Sequence, residues 1–310
     1  MKKWSIRRNV RIGGGPIKFS SKIKGGYLMK KIGILAVLLA MAFLFVGVAS
    51  AEMYLEGYLG ASQAVNMGQD LTVREPHAPP PPPPVPYTPP TVPDFHLNYD
   101  GRTDVTVIGG VKVGTWFVKE GFLGYSGYPD WAKYFGFYTD FSYQRLYMRN
   151  QRLSGTDVFD DGTLASYVQG TIKSEGMAAT WAFMFAGRYG FFPDNEVPFG
   201  RLQPYVAVGP AIMFTSMKPK LNTVNVSTGL PDLQMSPGTD SNAIIALAVD
   251  AGIRYMALKN VSFDISFKYR YAQPSFSYSG VNGANGLVDS FTLHPTYNLF
   301  SGQIGVAYHF

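Results

Sequence analysis

Eight segments of about ten residues, each alternating between an apolar and a polar face, recur along this 310-residue chain. Successive side chains leave a β-strand on opposite sides, so alternation at period two marks strands with two unlike faces. The clearest segment is Val261–Tyr271. Val261, Phe263, Ile265, Phe267, Tyr269 and Tyr271 share one face, and Ser262, Asp264, Ser266, Lys268 and Arg270 share the other. The remaining seven are Glu52–Ala61, Val105–Phe117, Tyr134–Arg145, Met177–Tyr189, Pro204–Phe214, Ile244–Tyr255 and Ser301–Phe310. Pro210 interrupts the fifth and predicts a bulge or an unpaired N–H there.

Such strands fit either a soluble sandwich, with its charges in water, or a membrane barrel, with its apolar faces in lipid. An even strand number suits a closed antiparallel barrel. The spacers favour it too. Gaps 62–104, 146–176, 215–243 and 272–300 are long, gap 256–260 is short, and gaps 118–133 and 190–203 are intermediate. Long loops at one end and shorter turns at the other is the asymmetry of an outer-membrane barrel.

The charges add a second argument. On strand parity, Glu56, Asp140, Asp250 and Asp264 fall on the same faces as Lys112, Arg188, Arg254, Lys268 and Arg270. An eight-stranded barrel encloses just enough room for side chains to fill. Charges buried there must be paired, and this near-balanced set predicts an interior network. Aromatics at the segment ends, among them Trp116, Phe117, Tyr134, Tyr189, Tyr205, Tyr255, Tyr271 and Tyr308, suit a membrane–water boundary. The chain also stops on Phe310 within a strand pattern, as a last strand that pairs with the first would.

The N-terminus reads as an address. Lys30 and Lys31, the apolar run Ile32–Val48 and Ala49-Ser50-Ala51 form a secretory signal peptide over 29–51, with Ala49 and Ala51 setting cleavage before Glu52. An uncleaved inner-membrane anchor is the alternative for a 17-residue run. Residues 1–28 are basic and unpatterned and are expected to be an upstream extension, with the start at Met29. Ten of the 27 basic residues precede Glu52 and none of the 21 acidic ones does, so the remainder carries a net charge of −4. No basic stripe is left for nucleic acid to follow. The chain has no Cys, which excludes disulfides, thiolate metal sites and a lipidated Cys anchor.

Particular stretches carry a resemblance. "SGQIGVAYHF" at the C-terminus resembles the assembly signal of outer-membrane barrels, with Ile304, Val306, Tyr308 and Phe310 at alternate positions. "GGVKVGTWF", "PYVAVGPAI" and "VSFDISFKYRY" look like strands two, five and seven of the small OmpA/OmpX-like outer-membrane β-barrel family. The resemblance covers Glu52 to Phe310. It implies an all-β fold: an eight-stranded antiparallel transmembrane up-and-down β-barrel over 52–310, located in the cell outer membrane. It also implies contact with outer-membrane lipid and lipopolysaccharide, and with the assembly machinery through the last strand. The chain departs from OmpA proper by ending at the barrel, so a peptidoglycan-binding role is not expected.

Six consecutive prolines, Pro79–Pro84, impose polyproline II on an external loop over 75–93. The loop reads as a stiff stalk for an extracellular partner or as a tolerated insertion. Catalytic and metal motifs are absent from the sequence, so no enzyme and no cofactor is expected. His294 with Thr292, Ser290 and Asp289 is the nearest approach to a hydrolase set. Arg145, Arg149 and Arg152 read as contacts for lipopolysaccharide phosphates or as solvated loop charges. The function expected is a structural or surface-interaction barrel plugged by paired charges; the alternative is a narrow porin-like channel or carrier for small solutes.

Overall fold

The computed structural model of the chain describes residues 52–65, 67, 71–74, 94–99, 101–117, 129–158, 164–284 and 286–310. The signal segment, residues 1–28 and the proline-rich run lie outside these residues. Thirteen strands follow in order: β1 (Glu52–Val65), β2 (Leu71–Arg74), β3 (Asp94–Asn98), β4 (Thr106–Trp116), β5 (Phe135–Val158), β6 (Leu164–Arg188), β7 (Leu202–Asn225), β8 (Pro231–Met235), β9 (Asp240–Leu258), β10 (Val261–Ala272), β11 (Phe276–Val281), β12 (Val288–Leu293) and β13 (Tyr297–His309).

Eight of them form a ring. β1, β4, β5, β6, β7, β9, β10 and β13 pair antiparallel in that order, and β13 returns to β1 with Leu59 opposite Ile304. Closure leaves neither the first nor the last strand with an edge. The result is an eight-stranded antiparallel up-and-down β-barrel, and each of the eight patterned segments contributes one stave.

The barrel has two tiers, and the phase of the alternation reverses between them. In the lower tier the outward positions are apolar and exposed: Phe141 on β5, Phe185 on β6, Val206 on β7, Ile245 and Ile253 on β9, and Phe263 and Ile265 on β10. On β9 this band runs from Ile245 to Tyr255. Ten residue steps rise about 34 Å along the strand, or about 26 Å at a tilt near 40°. That height matches the apolar band of a membrane-spanning barrel. In the upper tier the inward positions are apolar instead. Leu146 and Met148 on β5, Ile172 and Val168 on β6, and Met217 and Leu221 on β7 are all buried.

This reversal is why the strands outrun their sequence patterns. β5, β6 and β7 run 24, 25 and 24 residues, beyond the segments that end at Arg145, begin at Met177 and end at Phe214. The lipid-type pattern stops there, but backbone pairing continues into a lobe with an interior like that of a soluble protein. The long gaps supply the rest of its wall. β3 pairs the top of β5, β2 pairs β3, β12 pairs β2, β11 pairs β12, and β8 pairs the top of β7. Asn282 joins the two ends of this upper sheet: its Oδ1 accepts from the Gln234 N–H at 2.9 Å and its Nδ2 donates to the Asp232 carbonyl at 3.1 Å. Phe95, Phe276, Phe291 and Leu233 fill the space within.

At Pro210 the register is kept. Pro210 stays opposite Leu247 on β9, while on the β6 side pairing resumes at Phe185 opposite Val208. The missing N–H is absorbed as an interrupted ladder and not as a bulge. The opposite, short-turn end is tied down as well. Asp194 Oδ1 accepts the Val197 N–H at 2.7 Å, and Arg201 donates to the Met256 and Ala257 carbonyls at 3.2 Å, joining the β6–β7 link to the β9–β10 hairpin.

Candidate functional site in the barrel interior

The nine ionisable residues that strand parity groups together all face the lower-tier interior, and none is more than 4% exposed. Register brings them into neighbouring rows. Glu56 on β1 lies opposite Lys112 on β4, which lies opposite Asp140 on β5. Across the barrel, Asp250 on β9 lies opposite Lys268 on β10, and Arg254 lies opposite Asp264. Opposite charges therefore already stand side by side in the sheet.

The side chains then reach across the lumen. Lys112 Nζ lies 2.9 Å from Glu56 Oε1, 3.2 Å from Asp250 Oδ2 and 3.8 Å from Asp264 Oδ1. Arg254 sits 2.6 Å from Glu56 Oε2 and 3.6 Å from Asp264 Oδ2. Lys268 pairs with Asp140 and donates to the Tyr58 hydroxyl at 3.1 Å. One barrel wall is thus pinned to the opposite one by charge-assisted hydrogen bonds.

Two of the nine are partnered differently from their sequence reading. Arg188 pairs outside the set, bidentately with Glu52, at 2.7 and 2.5 Å. Arg270 has no carboxylate among the described residues; it donates to Ser142 Oγ at 3.1 Å and Gln144 Oε1 at 2.9 Å. With Glu52 included, five carboxylates face five cations in the interior.

Tyrosines complete the network. Tyr58 donates to Asp140 at 2.7 Å, Tyr138 to Asp250 at 2.9 Å and Tyr205 to Asp264 at 2.9 Å. Each phenol fills lumen volume while satisfying a carboxylate lone pair. Tyr205 and Trp116, grouped by sequence with the boundary aromatics, are inside instead: Tyr205 is in this network, and the Trp116 ring lies 4.1 Å from the Arg188 guanidinium. Parity puts Trp116 on the Lys112 face, and that parity outranks the general preference of aromatics for strand ends. The rings fit because glycines face them. A Cβ at Gly114 would meet Tyr138 and Tyr54 at 2.6 and 2.7 Å.

Other sequence-selected residues fall apart. Asp289 points into the upper tier while Ser290, Thr292 and His294 are exposed, so the buried carboxyl does not join the other three. Ile304, Val306, Tyr308 and Phe310 are exposed along the outer face of β13 and its end, beside β1 and β10. Arg145, Arg149 and Arg152 are exposed on the upper half of β5. Ala49 and Ala51 lie outside the described residues.

No protein-family model matches the sequence, and no curated protein matches it. Solved structures do. OprG of Pseudomonas aeruginosa is similar at 11% identity and a TM-score of 0.39, over 84% of this chain and 96% of that one. Neisserial surface protein A is similar at 13% identity and a TM-score of 0.31, over 83% and 97%. The N-terminal β-barrel domain of Pseudomonas aeruginosa OprF is similar at 10% identity and a TM-score of 0.29, over 84% and 100%. The structural neighbours of this chain are small outer-membrane β-barrel proteins.

Proposed function

We propose that the protein is an integral outer-membrane barrel with a plugged lumen, acting as a structural or surface-interaction element. It is delivered by a signal peptide cleaved after Ala51, and no catalysis is assigned to it. The observation that carries this reading is the interior network. Ten charged side chains and three tyrosines cross the lower tier, and Lys112 alone contacts carboxylates from three staves. Solute passage would require these partners to separate inside a low-dielectric wall, where an unpaired charge costs several kcal/mol. Above the network, the upper tier is packed with apolar side chains. The outward face meets lipid, and the upper tier stands clear of the membrane as the surface available to partners. Ile304, Val306, Tyr308 and Phe310 present the last strand to the assembly machinery.

Planar-bilayer recording of the refolded protein tests this directly. The plugged reading expects no steady conductance. Steady ion flow that shifts in Asp264→Asn or Lys268→Met would establish the porin-like channel instead.

A further inference from the structure

We infer that the outer faces of β5, β6 and β7, just above the apolar band, form a binding site for the phosphate groups of an outer-leaflet glycolipid of the lipid A type. This rests on the outer-membrane orientation proposed above.

On these three strands the lower-tier apolar band reaches Tyr143, Met177 and Phe214, and above it exposed apolar side chains such as Tyr147, Tyr167 and Val224 are interspersed with polar ones. Above these on the same face come Arg145, Tyr147 and Arg149 on β5, Glu175 and Lys173 on β6, and, past the buried Ser216, Lys218 and Lys220 on β7. Lys218 lies four residues past Phe214, about 13 Å along the strand and about 10 Å higher once the strand tilt is included. That is headgroup height, within reach of a lysine that bends toward the interface.

The charge is unbalanced. Lys173 stands directly opposite Lys220 across the β6–β7 ladder, and like charges so placed repel. Glu175 stands opposite Lys218 but makes no ion pair with it, and among the described residues Lys173, Lys218, Lys220 and Arg145 have no carboxylate partner. Arg149 is neutralised by Asp104 at 2.7 Å. Three lysines thus face one carboxylate around a shallow pocket of about 30 Å³ lined by Tyr147, Met148, Lys173, Ser174, Glu175, Lys218 and Lys220, with Arg145 one outward position below it on β5. An anion between Lys173 and Lys220 turns their repulsion into two charge-assisted contacts. The lipid source follows from position. The pocket opens on the same faces of the same strands that carry Met177 and Phe214, so a phosphorylated lipid can place its chains on the band and its phosphate in the pocket.

The test uses the full chain in phosphatidylcholine nanodiscs titrated with bisphosphorylated lipid A and, separately, with its dephosphorylated form. Heat-dependent gel mobility of each sample reports the inserted barrel. The wild type is expected to prefer the phosphorylated lipid, and the triple variant K173Q/K218Q/K220Q to lose that preference. The expected loss is about fivefold per lysine, or roughly a hundredfold in all. K259Q, on the turn at the opposite end, is expected to bind like the wild type. An inserted wild type that does not discriminate the two lipids would overturn the site while leaving the barrel standing. So would a triple variant that binds like the wild type, or displacement of the lipid by an equal concentration of inorganic phosphate. A chain without heat-dependent mobility would overturn the membrane reading and the site with it.

Discussion

Lys268 and Asp140 pair between β10 and β5, on opposite sides of the ring, so they act as a crosslink between walls. Removing one partner strands the other in the lumen. Lys268→Met is expected to destabilise the barrel by about 3–5 kcal/mol. Replacing both, as Lys268→Met with Asp140→Leu, is expected to recover most of that loss. Urea unfolding of the protein in vesicles, followed by the heat-dependent gel shift, measures both. A loss in the double variant equal to the sum of the Lys268→Met and Asp140→Leu losses would show that the pair contributes nothing as a pair. Gly114 makes the complementary case. Gly114→Val forces a branched side chain against Tyr54 and Tyr138 and is expected to cost about 1–3 kcal/mol in the same assay. The grouping of the nine charges was legible in the sequence, because parity needs only counting. Their partners were not. Arg188 finds Glu52 at the very start of β1, and Arg270 finds neutral Ser142 and Gln144, because ring register decides which residues share a level. Tyr54 and Tyr58 share the face of Glu56 by strand parity, yet nothing local distinguishes a lumen tyrosine from a boundary one.

At the scale of elements, each long stave is a membrane strand continued into a lobe strand, with its apolar side switched from out to in. The lower half was readable as a strand because a single alternation persists for ten residues. The upper half was not, since the phase change at Leu146, Gly176 and Ser216 looks like the end of a pattern. The β11–β12 hairpin carries a pH signature of this lobe. Asp289 is buried on β12, and burial pushes its carboxyl above the ordinary range, opposed in part by the nearby Asn282 amide. A carboxyl raised on folding binds its proton more readily in the folded state. Lobe stability is therefore expected to rise as pH falls through the raised value toward the ordinary one near 3.9, and to be lost again on the way up. Hydrogen exchange of the β11 and β12 amides, corrected for intrinsic rate, is expected to slow on acidification from pH 7. Asp289→Asn is expected to remove that slowing, and an unchanged pH response in this variant would assign the effect elsewhere.

For the molecule as a whole, the claim is that one closed sheet separates a lipid-facing outside from a charge-filled inside. Because the chain contains no Cys, any single replacement places one thiol at a chosen position. β10 suits the test, with Phe263, Ile265 and Phe267 outside and Ser262 and Ser266 inside. Each is replaced by Cys in turn, and the refolded protein in vesicles is exposed to a membrane-soluble and to a membrane-impermeant maleimide. The barrel with a plugged lumen expects Phe263→Cys, Ile265→Cys and Phe267→Cys to react only from the lipid phase, and Ser262→Cys and Ser266→Cys to react with neither reagent. Reaction of Ser266→Cys with the impermeant reagent would contradict the plug, and reaction of Ile265→Cys with it would contradict the membrane-spanning barrel.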